Sequence, residues 1–162
     1  MEFSVRKAAP EDMGRLAAMW RGLMGHHRKL ARNVQQKEQV AEAKGAEGKW
    51  RRWARKWMRS RDGLVLVAES GGKIIGYSLN HVKANVPVYG IRKLGHMSDL
   101  FVEEGYRSKG VGKAFRDAAA AWFRKKGMSY VSIAAHAANR KAQALYRGWG
   151  FSDYHVELRK KL

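Results

Sequence analysis

Residues 101–115 read FVEEGYRSKGVGKAF and pass from an apolar strand into a glycine-rich loop and then into a helix. In this geometry several backbone N–H groups and the positive end of the helix dipole point at one place, where a pyrophosphate can bind. Gly110 and Gly112 have no Cβ, so the backbone can approach phosphate oxygens closely. The same segment carries three cations, namely Arg107, Lys109 and Lys113. It therefore predicts a phosphate-binding loop.

Two familiar phosphate motifs do not fit these residues. A P-loop requires Gly, four residues, Gly-Lys and then Ser or Thr, but residues 112–114 read Gly-Lys-Ala and Arg107 stands at the first Gly position. A dinucleotide fingerprint requires a third Gly where this chain has Phe115. The pattern that remains is Arg-x-x-Gly-x-Gly, which is also compatible with a helix start whose glycines ease a tight turn.

A second pattern follows at residues 139–151, NRKAQALYRGWGF. Asn139 and Tyr146 are seven residues apart in a predicted helix, so they share one face and lie about 10.5 Å apart along its axis. Directly before the loop, residues 99–102 read DLFV. In this order the three segments resemble the GNAT superfamily of acetyl-CoA-dependent N-acetyltransferases, and the resemblance covers essentially the whole chain.

The resemblance implies an α/β fold of the α+β type. We expect a single GNAT-like domain over residues 1–162, with a mixed, mostly antiparallel central sheet that contains a splayed strand pair and is flanked by helices. Its expected parts are an N-terminal strand with substrate-side helices (1–62), the central strands (63–102), the pyrophosphate loop with its helix and following strand (103–138), and a C-terminal helix and strand (139–162).

The resemblance also implies acetyl-CoA as cosubstrate. Its pyrophosphate would be held by Arg107, Ser108, Lys109, Gly110, Val111, Gly112 and Lys113. The pantetheine arm would lie between two splayed strands and pair with free backbone groups of the first, at Leu100, Phe101 and Val102. The second strand starts near Ser132. Asn139 would bond the arm, and Tyr146 would stand near the sulfur as general acid.

The hydrophobic pattern predicts the remaining elements. Strands are expected at residues 2–7, 64–69, 73–80, 96–102, 130–135 and 151–158. Helices are expected from Pro10 to near Gly25, in part of 33–48, and at 49–60, 110–126 and 139–147. Residues 70–72, Ser-Gly-Gly, predict a tight hairpin because glycine allows φ > 0. Gly127 is placed to end a helix.

The composition narrows the classes of protein to which the chain can belong. Its 162 residues carry 33 Lys and Arg against 14 Asp and Glu, a net charge of +19, which predicts anionic partners. Cys is absent, which excludes a disulfide framework, a Cys-ligated metal site and a Cys nucleophile. Because no signal segment or membrane-spanning run is visible, we expect a cytoplasmic protein with no membrane partner.

The expected chemistry is direct attack of a primary amine on the thioester in a ternary complex, since no Cys is present to form an acyl-enzyme. Backbone N–H near Phe101 or Val102 would polarise the carbonyl. The candidates for the general base are Asp99, His96 and Glu69. His96 lies three residues before Asp99 and would occupy the opposite face of a regular strand. Each candidate also suits a structural hydrogen bond, and an amine that arrives neutral needs no base.

The acceptor amine is expected between the first helices and the central strands, beside His26, His27 and Trp50. Trp50 and its helical neighbours Trp53 and Trp57 suit a substrate cleft, a dimer contact or core packing. The helix at 49–61 has a basic face, which suits a solvated surface or an acidic partner. No metal is expected, because adjacent histidines on a helix do not face one point.

We therefore expect a small-molecule or protein amine as substrate, neutral or anionic rather than a polyamine, and a homodimer is compatible with similar folds. Two other functions compete with acetyl transfer. The first is a nucleic-acid-binding module, which the net charge and six Trp would suit, although the charge is spread along the chain. The second is a CoA-binding sensor without turnover, against which the intact Asn139 and Tyr146 argue.

Overall fold

The computed structural model describes residues 1–162 and contains one five-stranded sheet. Its strands are β1 (Ser4–Lys7), β2 (Gly63–Ser70), β3 (Lys73–Ala84), β4 (Lys93–Val102) and β5 (Val131–Ile133). They lie in the order β1-β2-β3-β4-β5, and every neighbouring pair is antiparallel except β4 and β5. This arrangement confirms the predicted mixed, mostly antiparallel sheet.

Five α-helices surround the sheet. They are α1 (Met13–Leu30), α2 (Val34–Gln39), α3 (Ala46–Arg59), α4 (Val111–Lys125) and α5 (Arg140–Gly148). Short 3₁₀ turns precede α1, at Pro10–Asp12, and follow β4, at Glu104–Tyr106. None of the helices is long and apolar enough to cross a membrane.

The helices bury the two faces of the sheet in separate layers. Side chains alternate between faces along a strand, so β2 and β3 supply apolar residues to both layers. On one face α1 and α3 pack against Val65, Val67, Tyr77 and Leu79. On the other face α4 packs against Leu64, Leu66, Ala68 and Ile75 through Val111 and Phe115. The functional region lies at the far edge, where β4 meets β5.

The glycine positions behave as the sequence predicts at three places. Gly71 and Gly72 adopt φ of +56° and +73°, which closes the tight turn between β2 and β3. Gly127 has φ of +74° directly after the end of α4. Gly110 has φ of +88° and precedes the first residue of α4. These conformations favour glycine because it has no Cβ.

Several element boundaries differ from the sequence prediction. The strands expected at 73–80, 96–102 and 130–135 are observed at Lys73–Ala84, Lys93–Val102 and Val131–Ile133, and two further differences concern the first helix and the last expected strand. The first helix continues past Gly25 to Leu30, because one interior glycine costs a helix only about 1 kcal/mol. The strand expected at 151–158 is not formed, since no residue from 152 to 162 makes a backbone–backbone hydrogen bond. An alternating pattern gives a segment one apolar face, but the segment becomes a strand only when a neighbouring strand pairs with its backbone.

A bulge interrupts β4. Asp99 lies opposite Leu79 and Met97 lies opposite Asn80, so Ser98 is an extra residue with no opposing partner. An inserted residue reverses the alternation of side chains beyond it. His96 and Asp99 therefore point to the same face, where the sequence predicted opposite faces for a regular strand.

Candidate active site

The loop between β4 and α4 presents a run of free backbone donors. None of the N–H groups of residues 108–113 donates to an acceptor in the protein, although neighbouring amides do. The N–H of Arg107 donates to Glu104 O at 3.2 Å, and that of Ala114 donates to Gly110 O at 2.9 Å. Free amides at a helix start form a site for an anion. The loop predicted for the pyrophosphate thus has the required donors.

The backbone of this loop turns through two left-handed residues. Ser108, at φ of +59°, is the one non-glycine residue of the chain with positive φ, and Gly110 follows at +88°. Left-handed residues alternating with ordinary ones make successive N–H groups converge on a concave nest that suits an anion. Ser108 holds this conformation although it costs an L-residue about 1 kcal/mol or more.

The cations predicted for the loop differ in their engagement. Arg107 donates from Nε to Val102 O at 2.9 Å and leaves its terminal nitrogens without a partner in the protein. Lys109 lies over the ring of Tyr106, with its Nζ 5.7 Å from the ring centroid, and Lys113 pairs with Asp117 at 3.3 Å. Arg107 and Lys109 therefore have charge that no carboxylate of the chain neutralises.

β4 and β5 part next to this loop. They pair only over three residues each, Gly95–Met97 with Val131–Ile133. Beyond that point β4 continues to Val102 with β3 on one side and no strand on the other. The buried hydroxyl of Ser98, at the point of divergence, has no hydrogen-bond partner. The splayed pair expected from the sequence is present.

The alternation of backbone groups identifies which residues face the gap. Glu103 donates its N–H to Ile75 O of β3 at 2.9 Å. In an antiparallel pair, alternate residues direct their groups to the partner, so Phe101 faces β3 whereas Leu100 and Val102 face the gap. Of the predicted backbone partners, Leu100 and Val102 thus offer free N–H groups at the open edge.

Asp99 lies on the face of β4 that α3 covers. Its Oδ2 accepts two hydrogen bonds of 3.0 Å, from Trp50 Nε1 and from the Tyr77 hydroxyl, and Oδ1 has no donor in the protein. Burial raises the pKa of the Asp99 carboxyl, and these two bonds offset part of that rise. The result is a fixed carboxylate with one free oxygen and more basicity than an ordinary aspartate.

His96 is engaged elsewhere. Its Nδ1 lies 2.8 Å from Ser132 Oγ, and its ring meets that of His81, which stacks on Trp57 of α3. Burial, followed by the charge of Lys83, lowers the pKa of His96 to about 4. The structure thus places it near β5 as a weak base with a structural hydrogen bond.

Glu69, the third candidate base, lies far from Asp99. Its Oε1 accepts from Arg6 at 2.6 Å, and this bond lowers the pKa of the Glu69 carboxyl. In the sheet, Val65 of β2 and Asp99 of β4 lie on either side of Leu79 of β3. Glu69 is four residues further along β2 than Val65. The separation is roughly 13 Å along the strand and roughly 10 Å across the sheet. Of the three candidate bases, Asp99 alone combines a free oxygen with a raised pKa.

Asn139 begins α5 and connects it to α1. Its Oδ1 accepts from Ala142 N at 3.1 Å, a helix cap, and its Nδ2 lies 3.4 Å from His26 Nε2. Burial, then the charges of Arg107 and Lys29, lower the pKa of His26. A neutral His26 can accept from Asn139, so the amide predicted to bond pantetheine is already engaged on both sides.

Tyr146 lies two turns along α5 from Asn139. Its ring packs near Trp149 and Phe151, with centroids 5.6 and 6.4 Å away, and its hydroxyl makes no hydrogen bond within the protein. Burial raises the pKa of this hydroxyl, so it keeps its proton. Trp149 in turn contacts the start of α4, since a Cβ on Gly112 would meet its ring at 3.4 Å.

The remaining residues predicted on the substrate side occupy different environments. His27 is half-buried beside His26 and His136, and burial lowers its pKa. Trp50 is only 7% exposed, stacks on Trp20 and belongs to the core, so it reaches the site solely through its bond to Asp99. Sequence reasoning missed Tyr77, because inward residues of a central strand are ordinarily apolar core and no pattern marks the bulge that brings Asp99 to it.

Comparisons with known proteins agree with this geometry. Residues 20–151 match the model of the acetyltransferase (GNAT) family. The chain is 29% identical over 112 residues to an uncharacterized N-acetyltransferase of Methanocaldococcus jannaschii, which is 67% of this chain and 48% of that relative. The chain thus spans about half the length of that relative. An uncharacterized N-acetyltransferase of Bacillus subtilis is 23% identical over 150 residues, 93% of this chain and 90% of the relative.

A solved structure shares the fold over nearly the full length. The aminoglycoside N-acetyltransferase AAC(6')-Iy in complex with CoA superposes with a TM-score of 0.76 at 15% identity, over 99% of this chain and 95% of that one. Since the family model covers most of the sequence and the fold agrees, the chain belongs to the GNAT family of acetyltransferases.

Proposed function

We propose that this acyltransferase moves the acetyl group of acetyl-CoA to a primary amine by direct attack in a ternary complex. One observation carries the proposal: the six N–H groups of residues 108–113 lack acceptors beside a strand edge where the N–H groups of Leu100 and Val102 are also free. Acetyl-CoA, the donor that the family uses, would supply the acetyl group as an activated thioester. CoA would then leave as a free thiol.

The chain's donors match the chemistry of that ligand. The free amides of residues 108–113, with Arg107 and Lys109, suit a diphosphate. The free N–H groups of Leu100 and Val102 suit a chain of amides such as pantetheine, which would pair along the open edge of β4. Asn139 would join this pairing by exchanging its contact with His26. The Val102 N–H would polarise a carbonyl that lies at the same edge.

Asp99 is the proposed general base. Trp50 and Tyr77 hold one carboxylate oxygen, which leaves Oδ1 free to accept the amine proton, directly or through water. The raised pKa makes the carboxylate a stronger base than an exposed aspartate. This role rests on the described contacts of Asp99 and on the engagement of the two other candidates.

Tyr146 is the proposed general acid. Its hydroxyl has no partner in the protein and is therefore free to donate to a leaving group. Burial raises the pKa of the hydroxyl, so the proton is released only to a strongly basic acceptor such as a thiolate.

For the acceptor we propose a neutral or anionic primary amine. The structural neighbour AAC(6')-Iy is named for aminoglycosides, which are polycations. In this chain, Arg107 and Lys29 lie close enough to His26 to lower its pKa, and the net charge is +19. Such a positive potential disfavours a polycation at the mouth of the site.

The experiment incubates the protein with acetyl-CoA and a panel of primary amines and follows free thiol, which the Cys-free chain does not itself contribute. The panel includes neutral, anionic and polycationic amines. Thiol release that requires an amine, and that falls about 100-fold or more in Tyr146→Phe, supports the proposal. Tyr89→Phe, in an exposed loop, is the matched control and keeps full activity. CoA binding without turnover for any amine would indicate the sensor function.

A further inference from the structure

The outer face of helix α3 is covered with positive charge. Residues 49–61 read KWRRWARKWMRSR and contain no acidic residue. At 3.6 residues per turn, five cations of α3 fall within about a third of the helix circumference and extend over about 15 Å of its length. All five are exposed, and we call them the cationic stripe: Lys49, Arg52, Arg55, Lys56 and Arg59.

No acidic side chain of the protein neutralises the cationic stripe. None of its five members forms an ion pair. The acidic residue at the start of α3, Glu47, is paired instead with Arg21 and Arg51. Like charges three and four residues apart on a helix repel one another and destabilise it, whereas alternating signs stabilise it. A bound polyanion would relieve this repulsion.

The positive surface continues from α3 onto strand β3. The ring of His81 stacks on Trp57 of α3, with centroids 4.2 Å apart. Burial lowers the pKa of His81, and the nearby charges of Lys83 and Lys56 lower it further. Lys83 of β3 therefore lies on the same side of the molecule as the cationic stripe.

The loop between β3 and β4 adds an exposed aromatic ring to this surface. The loop is closed by the Asn85 N–H, which donates to Arg92 O at 2.9 Å. Between these residues, Tyr89 is 49% exposed. Arg92 and Lys93, which follow it, are exposed as well. Cations that track a phosphate backbone, combined with an exposed ring on which a base can stack, are typical of surfaces that bind single-stranded nucleic acid.

These features favour a nucleic acid over the other polyanionic or protein partners. Three of the five cations in the stripe are Arg, whose guanidinium binds phosphate oxygens through two parallel hydrogen bonds. A nucleic acid supplies a base for Tyr89 in addition to its phosphates, whereas an acidic peptide matches the charge alone. Stacking on a side chain requires unpaired bases, which favours a single strand over a duplex. A second copy of this chain, with its own charge of +19, would be repelled.

We infer that the cationic stripe and the loop at Tyr89 form a binding surface for single-stranded nucleic acid. Phosphates of the strand pair with the stripe, and a base stacks on the Tyr89 ring. This surface is distinct from the diphosphate loop before α4, because α3 and α4 pack against opposite faces of the sheet. The inference does not depend on the proposed acetyl transfer.

Fluorescence anisotropy with labelled oligo(U) and oligo(dT) of about 20 nucleotides tests the inference, and the two probes distinguish RNA from DNA. The test variant combines Arg52→Ala, Lys56→Ala and Arg59→Ala. The matched control removes three cations that are also exposed and unpaired, through Lys73→Ala, Arg124→Ala and Lys125→Ala. Alanine favours a helix, so circular dichroism should show the test variant folded.

We expect the wild-type protein to bind, and the test variant to bind about ten-fold or more weakly at low salt. The slope of log affinity against log salt should fall in magnitude by about 2, since each phosphate contact in a single strand contributes about 0.7. The control should keep most of the wild-type affinity. Equal weakening in both triple variants would ascribe binding to diffuse charge and overturn the inference, as would a wild-type protein that binds neither probe.

Three further measurements test the kind of partner and the place where it binds. Tyr89→Ala should weaken binding about five-fold or more, whereas Tyr89→Phe, which keeps the ring, should not. Equal affinity in these two variants would contradict base stacking and overturn the assignment to a single strand. Polyglutamate that competes as well as the oligonucleotide would indicate an acidic protein partner instead. Displacement of the probe by CoA would place it in the diphosphate loop, which also overturns the inference.

Discussion

The carboxylate of Asp99, in the part of β4 beyond its pairing with β5, accepts hydrogen bonds from two aromatic side chains. Trp50 and Tyr77 fix Oδ2, so the orientation of the group does not depend on a substrate. Burial raises the pKa of Asp99 and of the Tyr77 hydroxyl, which therefore stays a donor. Positioning by neutral donors leaves the carboxylate basic, whereas the Arg6 guanidinium makes Glu69 a weaker base.

Asp99→Asn is expected to lower kcat by about 100-fold or more, because the amide oxygen can accept from Trp50 and Tyr77 but no group can take the amine proton. In the wild-type protein, activity should rise with pH through the raised pKa of Asp99, and this acidic limb should be missing in the variant. Rates of thiol release measured across pH check both effects.

Thermal unfolding supplies the control for a structural role. A raised pKa means that the folded state binds the Asp99 proton more tightly than the unfolded state does. Ionisation of Asp99 therefore lowers the free energy of unfolding of the protein as pH rises through that pKa. Asp99→Asn should therefore be at least as stable as the wild type at neutral pH. Asp62→Asn, at an exposed carboxylate, should leave activity unchanged. An inactive Asp99→Asn that also unfolds at much lower temperature would contradict the catalytic assignment.

At the scale of elements, the loop before α4 combines two left-handed residues with free amides. Gly110 stands at φ of +88°, and a Cβ there would meet no atom within 4 Å. The effect of a side chain at this position is therefore conformational rather than steric. A change in this backbone angle would alter the direction of the N–H groups that follow it.

Gly110→Ala is expected to lower the free energy of unfolding by about 1 kcal/mol, because alanine disfavours positive φ. It should also weaken the binding of CoA, measured by calorimetry, because the N–H groups of the loop would no longer point at one place. Gly90→Ala is the matched control, since its Cβ also meets open space and its φ is not positive. Equal CoA affinity in both variants would show that the loop amides do not hold the ligand.

The sequence was sufficient to predict the elements whose signals are local. The turn at Gly71 and Gly72, the loop at Gly110 and the helix carrying Asn139 and Tyr146 all lie where their residues indicate. The bulge at Ser98 was not predictable, because it arises from the register between β3 and β4 rather than from a turn residue. The same bulge brings Asp99 to Tyr77, so this part of the candidate site depends on tertiary pairing.

The unformed strand at 151–158 has a similar cause. Val156 and Leu158 have the alternation of a strand, but pairing depends on a neighbour that the pattern itself does not specify. Helix α1 shows the reverse case, since it continues past Gly25 to Leu30, where His26 contacts Asn139 at the start of α5. Long-range contacts thus decide the element boundaries that local propensity leaves open.

At the scale of the whole molecule, positive charge dominates the surface. Most carboxylates are paired with arginine or lysine, as in the bond of Arg147 to Asp153 at 2.8 Å, whereas many cations have no acidic partner. Exposed and unneutralised charges such as Lys109 raise the potential around the site. This potential should attract an anionic ligand and be screened by salt.

The affinity for CoA is therefore expected to fall as salt is raised from low to several times the physiological level. Calorimetric titrations over that range measure it. A ligand without phosphate groups, such as pantetheine, serves as the comparison and should bind with little dependence on salt. An affinity for CoA that stays constant over the range would contradict a role for Arg107, Lys109 and their neighbours in binding phosphate.

The central claim is that the backbone amides of residues 108–113 bind the diphosphate of CoA. Titration of ¹⁵N-labelled protein with desulfo-CoA, followed by amide resonances, tests it most directly. The account predicts large downfield shifts for the amides of residues 108–113, as each gains an acceptor, together with shifts for Leu100 and Val102. If the protein is saturated with ligand and the amide resonances of residues 108–113 do not shift, the claim is contradicted.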